Sequence, residues 1–291
     1  MNKDINFLPS NFLGCNSDFE NADYVIFGAP FDGTTTFRPG TRFAPQTMRM
    51  ESIGLETYSP YFDIDTEDFN ICDAGDLDLP FGSTENALKI IQNEAKIIFD
   101  ANKKPLMVGG EHLVSLPVIK EAFEKYPDLH IIHFDAHTDL REEYLGEKLT
   151  HSGIFRRVWD FLGDGKIFQF GIRSGTKDEF YWANEGHTYI NKFNFDTLEE
   201  IVEKLKGKPI YFSIDSDVLD PSIMCGTGTT EAGGVTFNEL ISAIKEVSKL
   251  NIIGADVVEL SPHYDHSGVS TAVALKVMRE TLCAMIKNTN K

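Results

Sequence analysis

The feature that most restricts the fold of this chain is an alternation of short apolar runs with longer amphipathic stretches. Strands are predicted at the apolar runs of residues 24–28, 105–108, 130–135, 166–171, 209–215 and 252–259, with weaker candidates at 70–73 and 188–190. Helices are predicted at the amphipathic stretches 44–50, 85–101, 114–125, 178–185, 197–206, 237–250 and 269–286. Several of the strand runs are apolar throughout, which is typical of burial on both faces. The alternation predicts an α/β fold, in which a parallel sheet is covered by helices on both sides.

The chain is predicted to form one domain over residues 1–291, because no linker rich in Ser, Gly or Pro divides it. The longest stretches without a strand or helix pattern are residues 31–44, 58–68, 140–153 and 219–235. Long loops inside a compact domain tend to be functional. We therefore expect some of these loops to contribute to a site.

The net charge of −18 argues against nucleic acid or an anionic membrane as a partner, because both bind basic surfaces. The same charge is compatible with cationic small molecules and metal ions. No run approaches the ~18 apolar residues of a membrane span, and the first residues do not resemble a signal peptide. With four scattered cysteines, these features predict a cytoplasmic protein.

The first motif with a chemical meaning follows the apolar run 131–134. Asp135, His137 and Asp139 occupy alternate positions there. If the strand stays extended to its end, all three side chains point to one face. Open α/β sheets place their sites at the carboxyl ends of the strands. His130 and His133 lie within the strand itself and are predicted to pack or to support the ligands.

Two further strand ends have similar residues. Asp215 and Asp217 follow the apolar run 210–214, and His112 follows a glycine pair after the run 105–108. Four carboxylates brought together cannot all stay ionised without compensation, and their charge matches two divalent cations. Oxygen-rich ligation with two imidazoles and no thiolate favours Mn²⁺ over a structural zinc. Two such ions about 3.5–4 Å apart activate a shared water, so the pattern predicts metal-assisted hydrolysis.

Together the motifs GGEH at 109–112, FDAHTD at 134–139 and SIDSDVLDP at 213–221 resemble those of the ureohydrolase family, which contains arginases and agmatinases. The resemblance extends through most of the chain, from Gly28 to Pro262. It implies a three-layer α/β/α fold with a central parallel sheet of about eight strands. It also implies a binuclear site with two Mn²⁺ per chain and a homo-oligomer, either a trimer or a hexamer.

The resemblance also implies a role for each candidate residue. Six metal ligands are implied: His112 and Asp139 on one ion, His137 and Asp217 on the other, and Asp135 and Asp215 as bridges. His151 matches the histidine that carries protons to the leaving amine, for which a pKa near neutrality is suited. Glu259 matches the carboxylate that grips the guanidinium through two parallel hydrogen bonds.

Some positions depart from the family pattern. Glu111 stands where Asp is common, Thr230 stands where Pro is common, and Ser152, Gly153 and Ile154 differ from the usual surroundings of the shuttle histidine. These departures leave the substrate open and do not touch the predicted metal ligands.

The loop 140–148 has no Ser, Thr, Asn or Gln with which to bind an amino-acid carboxylate. Glu142, Glu143 and Tyr144 stand there instead, and an acidic lining favours a substrate with a free amine. Arg141 and Lys148 count against this interpretation, since either could meet an acidic tail. We expect a small cationic guanidinium substrate, and the loop favours agmatine, which is hydrolysed to putrescine and urea.

Other functions stay open at this point. An arginase, a guanidinobutyrase or a formiminoglutamase would use the same metal ligands, and the last two would need Arg141 or another base to hold a substrate carboxylate. A polyamine deacetylase is expected to use one zinc, which the paired Asp-x-Asp and Asp-x-His-x-Asp motifs argue against. A catalytically silent metal-binding subunit would be indicated if His151 or Glu259 were dispensable.

Overall fold

The computed structural model describes residues 11, 12 and 14–287. Its strands are β1 (Tyr24–Ala29), β2 (Tyr58–Ser59), β3 (Ile64–Asp65), β4 (Ile71–Asp76), β5 (Lys104–Gly109), β6 (His130–Phe134), β7 (Ile167–Ile172), β8 (Tyr189–Lys192), β9 (Pro209–Asp215) and β10 (Asn251–Val258). Its α-helices are α1 (Ala44–Glu51), α2 (Thr84–Asp100), α3 (Ser115–Lys125), α4 (Ile154–Leu162), α5 (Lys177–Trp182), α6 (Leu198–Lys204), α7 (Phe237–Val247) and α8 (Val269–Lys287).

Short helical turns occupy Thr41–Phe43, Ser52–Gly54, Thr66–Asp68, His112–Val114, His151–Gly153, Ala183–His187, Ser216–Val218 and Pro262–Tyr264. Three of these turns contain predicted site residues: His112–Val114, His151–Gly153 and Ser216–Val218.

The central sheet has eight strands in the order β4-β1-β5-β10-β9-β6-β7-β8, and every neighbouring pair is parallel. Strands β2 and β3 form a separate two-stranded antiparallel sheet. The predicted parallel sheet of about eight strands is therefore confirmed.

Helices cover both faces of the sheet. In β1, Tyr24 and Ile26 belong to a buried cluster shared with α1, α6, α7 and α8, whereas Val25 and Phe27 belong to a cluster shared with α2, α3 and α4. Successive side chains of a strand point to opposite faces, so a strand with a core on each side is apolar throughout. This confirms the three-layer α/β/α arrangement.

Helix α4 was not predicted. Its buried residues Ile154, Phe155 and Val158 have helical spacing, so the pattern was present in the sequence. The stretch predicted as the helix 178–185 is also interrupted: α5 ends at Trp182 and a turn follows in which Gly186 has φ 104°.

No helix in the described part of the chain is long and apolar enough to span a membrane.

Candidate active site

The carboxyl ends of four adjacent strands, β5, β10, β9 and β6, lie side by side along one edge of the sheet. His112 follows β5, Glu259 follows β10, and Asp135 follows β6. Asp215 is the last residue of β9, and Asp217 lies in the turn after it. The sheet order thus brings together the six predicted metal ligands and Glu259, which are up to 147 residues apart in sequence.

The predicted extended path from Asp135 to Asp139 is wrong. Strand β6 ends at Phe134, the backbone N–H of His137 donates to Asp135 Oδ1, and Asp139 has φ 51°. The carboxylate of Asp135 replaces the strand partner that this N–H would otherwise need. The three side chains still converge, but a turn brings them together and not the alternation of a strand.

The side-chain atoms of the cluster converge on two histidines. His112 Nδ1 lies 3.3 Å from Asp135 Oδ2, 3.4 Å from Asp139 Oδ2 and 3.3 Å from Asp215 Oδ2. His137 Nδ1 lies 3.0 Å from Asp217 Oδ2 and 3.5 Å from Asp135 Oδ1. Asp135 therefore turns one oxygen to each histidine, as a bridging carboxylate would.

The tautomer of His112 fits metal binding. Ser213 Oγ donates to Asp256 Oδ1 at 2.7 Å, so it accepts from His112 Nε2, 2.8 Å away. The proton of a neutral His112 is then on Nε2, and Nδ1 presents a lone pair to the carboxylates. Nδ1 is buried and has no hydrogen-bond partner among the described residues. Tyr211 supports the same chain of hydrogen bonds, because its hydroxyl donates to Asp256 Oδ2 at 2.8 Å.

The carboxylates of the cluster are crowded without a cation. Burial, and then repulsion from neighbouring carboxylates, raises the pKa of Asp139, Asp215 and Asp217. Burial also opposes ionisation of Asp135, but the surrounding histidines outweigh it and hold the pKa of Asp135 well below its usual range. Imidazole and carboxylate donors without a thiolate suit two divalent ions, which would remove the repulsion.

His133 contacts the candidate ligand Asp135. Its Nε2 lies 2.8 Å from Asp135 Oδ2, and its Nδ1 lies 3.1 Å from Gln169 Nε2. Gln169 Nε2 also donates to Thr138 O, which identifies it as the amide nitrogen, so His133 Nδ1 accepts and Nε2 donates to Asp135. Burial lowers the pKa of His133 to about 4, so the ring is neutral. This contact agrees with the supporting position expected of His133.

Arg173 clamps the turn that carries Asp217. Its guanidinium donates to Asp217 O at 2.6 Å and to Glu231 O at 2.8 Å, with longer bonds to the carbonyls of Gly171, Val218 and Leu219. The planar guanidinium offers five donors in a fixed geometry, which suits a shell of backbone carbonyls. Arg173 therefore ties the turn 216–218 to the loop that contains Glu231.

His151 and Glu259 lie beside the metal-ligand cluster and contact each other. His151 Nδ1 is 3.1 Å from Glu259 Oε1, which also accepts from the backbone N–H of His112 at 2.8 Å. Burial disfavours the His151 cation, but the hydrogen bond with Glu259 outweighs it and raises the pKa of His151 to about 9. The backbone nitrogen and the hydroxyl oxygen of Thr36 both lie 3.0 Å from Nε2. The pKa of His151 therefore lies above the near-neutral value expected from the sequence.

A cavity of about 250 Å³ opens onto the cluster. His137, Asp139, His151 and Asp215 line its inner part, and the outer wall contains Arg141, Thr176, Glu179 and Thr229. Such a volume holds a small linear molecule beside the candidate metal ligands.

An adjoining cavity of about 470 Å³ shares Arg141, Thr176 and Glu179 with the first. Its wall has the carboxylates of Glu142, Glu143, Asp178, Glu179 and Glu185 against two arginines, so its lining is acidic. Tyr144 lies elsewhere: it lines a third cavity beside residues 33–35 and 82–85. Of the loop residues predicted to meet a substrate amine, the structure places Glu142 and Glu143 near the route to the site, but not Tyr144.

Sequence reasoning missed several residues that act on this cluster. Thr36, Gln169, Arg173 and Asp256 lie outside the motifs, although Thr36 is in the loop 31–44 that was expected to be functional. The sequence did mark Asp256 as a candidate, because it is a single carboxylate in an otherwise apolar strand. It did not mark Arg173 or Gln169, since their contacts depend on the path of loops.

Comparison with known proteins agrees with this architecture. The model of the arginase family matches residues 22–284. The agmatinase of Bacillus subtilis (strain 168) is 48% identical over 279 residues, which cover 95% of this chain and 96% of the relative. The agmatinase of Bacillus anthracis is 49% identical over 281 residues, with coverage of 95% and 96%. The crystal structure of a candidate agmatinase from Clostridium difficile has a TM-score of 0.91 at 54% identity, covering 94% of this chain and all of that one.

Proposed function

The chain belongs to the arginase family and is a metal-dependent amidinohydrolase; we propose that it hydrolyses agmatine to putrescine and urea. The observation that carries this proposal is the convergence of two histidines and four carboxylates beside a cavity of about 250 Å³. His151 lines this cavity, and Glu259 contacts His151. Relatives 48% and 49% identical over nearly the whole chain are agmatinases, which supports this substrate.

We propose two Mn²⁺ as the resident ions. His112 and Asp139 would hold one ion and His137 and Asp217 the other, with Asp135 and Asp215 between them. Hard and borderline oxygen and imidazole donors support Mn²⁺. When bound, a pair of such ions lowers the pKa of a water molecule enough for it to attack near neutral pH.

The protein's own groups would position the guanidinium and move the proton. Glu259 lies at the end of β10 with its carboxylate among His112 and His151, where it can pair with two guanidinium N–H groups. As the C–N bond breaks, the departing amine needs a proton, and His151 next to Glu259 can supply it, because its raised pKa favours the protonated ring. His151 lines the cavity, and a guanidinium bound there would have its carbon held in place for attack.

The outer wall of the cavity would receive the amine end of the substrate. Glu179 is shared by both cavities, and the adjoining wall has five carboxylates against Arg141 and Arg156. Such a lining attracts an ammonium group more than a carboxylate. Arg141 is drawn toward Glu179, with Nε 3.9 Å from Oε2, and its guanidinium lies over the ring of Tyr144. These contacts reduce the repulsion that Arg141 would exert on a cationic substrate.

The test is a urea assay of the Mn²⁺-loaded protein on agmatine, arginine and 4-guanidinobutyrate under the same conditions. We expect the largest kcat/KM with agmatine. A larger value with either competitor would overturn the substrate assignment, and no urea from any of the three would indicate the silent metal-binding subunit. The Asp217→Ala variant, purified in parallel, is the blank for urea released by traces of another enzyme.

A further inference from the structure

The loop between β1 and α1 crosses the site as a strap, which we define as residues 32–42. Its two ends are tied together, because Asp32 Oδ2 accepts from the backbone N–H of Gly40 at 2.8 Å and Asp32 also pairs with Arg42. Its middle is bound to a second loop, because Arg38 donates to Gly228 O at 3.0 Å and to Thr227 O at 3.2 Å. The strap is therefore held at several points around the site.

The strap begins in backbone contact with the turn that carries His112. The N–H of Glu111 donates to Phe31 O at 2.8 Å. A Cβ on Gly110 would lie 1.9 Å from Phe31 O, so this approach requires glycine at position 110. The side chain of Glu111 starts at this contact and is completely buried.

Both oxygens of Glu111 bind Thr34 of the strap. The backbone N–H of Thr34 donates to Oε2 at 2.9 Å, and its hydroxyl donates to Oε1. The same hydroxyl oxygen accepts the backbone N–H of His151 at 3.0 Å. Since the hydroxyl has one proton and gives it to Glu111, its lone pair is directed to His151. Glu111 thus sets the position of His151 through a single hydroxyl.

A second group of contacts fixes the ring of His151. The backbone N–H and the hydroxyl oxygen of Thr36 each lie 3.0 Å from Nε2, and Glu259 Oε1 lies 3.1 Å from Nδ1. Glu259 in turn accepts from the N–H of His112, which is the residue after Glu111. The hydrogen bonds therefore form a closed ring from Glu111 through Thr34, His151 and Glu259 back to His112.

We propose that Glu111 and Thr34 are positioning residues that hold His151 in place for proton transfer to the leaving amine. This inference rests on the proposed function. A glutamate reaches Thr34 across the buried gap, whereas an aspartate is one methylene shorter and would leave the Thr34 N–H or hydroxyl without its acceptor. A displacement of about 1 Å at a reacting group lowers the rate by about 10²-fold. The length of the side chain at position 111 therefore matters for the rate, although Glu111 does not face the cavity.

The experiment compares Glu111→Asp, Thr34→Val and Thr34→Ser with His151→Asn on two substrates. One substrate is agmatine, and the other is agmatine with two fluorine atoms on the carbon next to the one bearing the guanidino group. The fluorinated amine is less basic and leaves with less help from an acid. We expect Glu111→Asp and Thr34→Val to lose about 10²-fold in kcat on agmatine and at least fivefold less on the fluorinated substrate, as His151→Asn does. Thr34→Ser keeps the hydroxyl and is expected to keep the activity.

The control is Thr281→Val, which removes a buried hydroxyl in α8; among the described residues this hydroxyl bonds only to Val277 O, at 2.8 Å, one turn earlier in the same helix. It is expected to leave both rates unchanged. A second readout is independent of turnover: ¹⁵N NMR of the His151 ring should show a changed balance of proton on Nδ1 and Nε2 in Thr34→Val and wild-type behaviour in Thr34→Ser. Equal losses on both substrates together with an unchanged His151 spectrum would overturn the proposal. If the wild type does not hydrolyse agmatine, the proposed function fails, and the NMR comparison still decides whether Glu111 and Thr34 position His151.

Discussion

Replacing Arg173 by methionine should destabilise the protein and loosen one half of the metal site. The guanidinium has two short bonds, to Asp217 O at 2.6 Å and Glu231 O at 2.8 Å, and its other bonds are 3.2–3.4 Å long. A hydrogen bond from a charged donor contributes about 1.5–3 kcal/mol. Arg173 is only partly buried, so we use the lower value for the two short bonds and expect a loss of about 3 kcal/mol in the free energy of unfolding. Arg173→Lys keeps the charge but not the planar fork, so about half of this loss is expected.

Urea denaturation of Arg173→Met, Arg173→Lys and the wild type measures this loss, provided that the m-value stays constant. Metal analysis after dialysis gives a second measurement. Because Arg173 holds the turn of Asp217, the ion proposed between His137 and Asp217 should be lost before the ion proposed at His112. The control is Lys206→Met, since Lys206 pairs with Glu203 at 2.6 Å, both side chains are more than half exposed, and such surface pairs contribute at most about 1 kcal/mol. A decrease of less than about 1 kcal/mol in the free energy of unfolding of Arg173→Met, or equal loss of both ions, would show that Arg173 does not stabilise the turn of Asp217.

Two other predictions follow from the cluster. Asp217→Ala is expected to bind one ion in place of two and to lower urea release by roughly 10²-fold or more; metal analysis that finds two tightly held ions would contradict the proposed ligands. The second concerns stability against pH in the metal-free protein: the folded pKa of His133, about 4, lies below its ordinary 6.5, so the unfolded chain binds the proton first as the pH falls. The contribution of the neutral His133 ring to the free energy of unfolding is complete above pH 6.5. As the pH falls toward 4, the free energy of unfolding decreases by about 3 kcal/mol. Urea denaturation of wild type and His133→Gln between pH 7 and 4 should give a difference that follows this curve, and a difference independent of pH would show that His133 is not neutral in the fold.

The sheet could be predicted from the sequence because its strands are buried on both faces. Strand β9 has the predicted bounds of residues 209–215, and the other main strands differ by one residue at one or both ends. The weaker candidates were also strands: β4 and β8 lie at the two edges of the sheet, where one side has no neighbouring strand and the apolar pattern is weaker. Helix α4 was missed although its buried residues Ile154, Phe155 and Val158 have helical spacing.

The composition of the candidate site could also be predicted, because parallel strands bring their carboxyl ends to one edge. The supports of the site could not. Thr34 and Thr36 reach His151 from a loop 115–117 residues away in sequence, and Arg173 binds carbonyl groups that any residue type presents. Contacts with backbone atoms leave no pattern of side chains in the partner, so periodicity and motif spacing do not reveal them.

Two site residues show why the direction of a side chain could not be predicted from strand alternation. Asp139 has φ 51° and Glu259 has φ 65°, and a non-glycine residue in this left-handed region costs on the order of 1 kcal/mol or more. Glycine would remove the strain at either position, but it would also remove the carboxylate. The strain is offset by specific partners: the N–H of Glu259 donates to Gly110 O at 2.9 Å, and the N–H of Phe155 donates to Asp139 O at 3.0 Å. The direction of the Glu259 side chain therefore depends on Gly110, the residue after β5, and that of Asp139 depends on the first turn of the unpredicted helix α4. The sheet brings these carboxylates to its edge, but their final direction depends on neighbours distant in sequence.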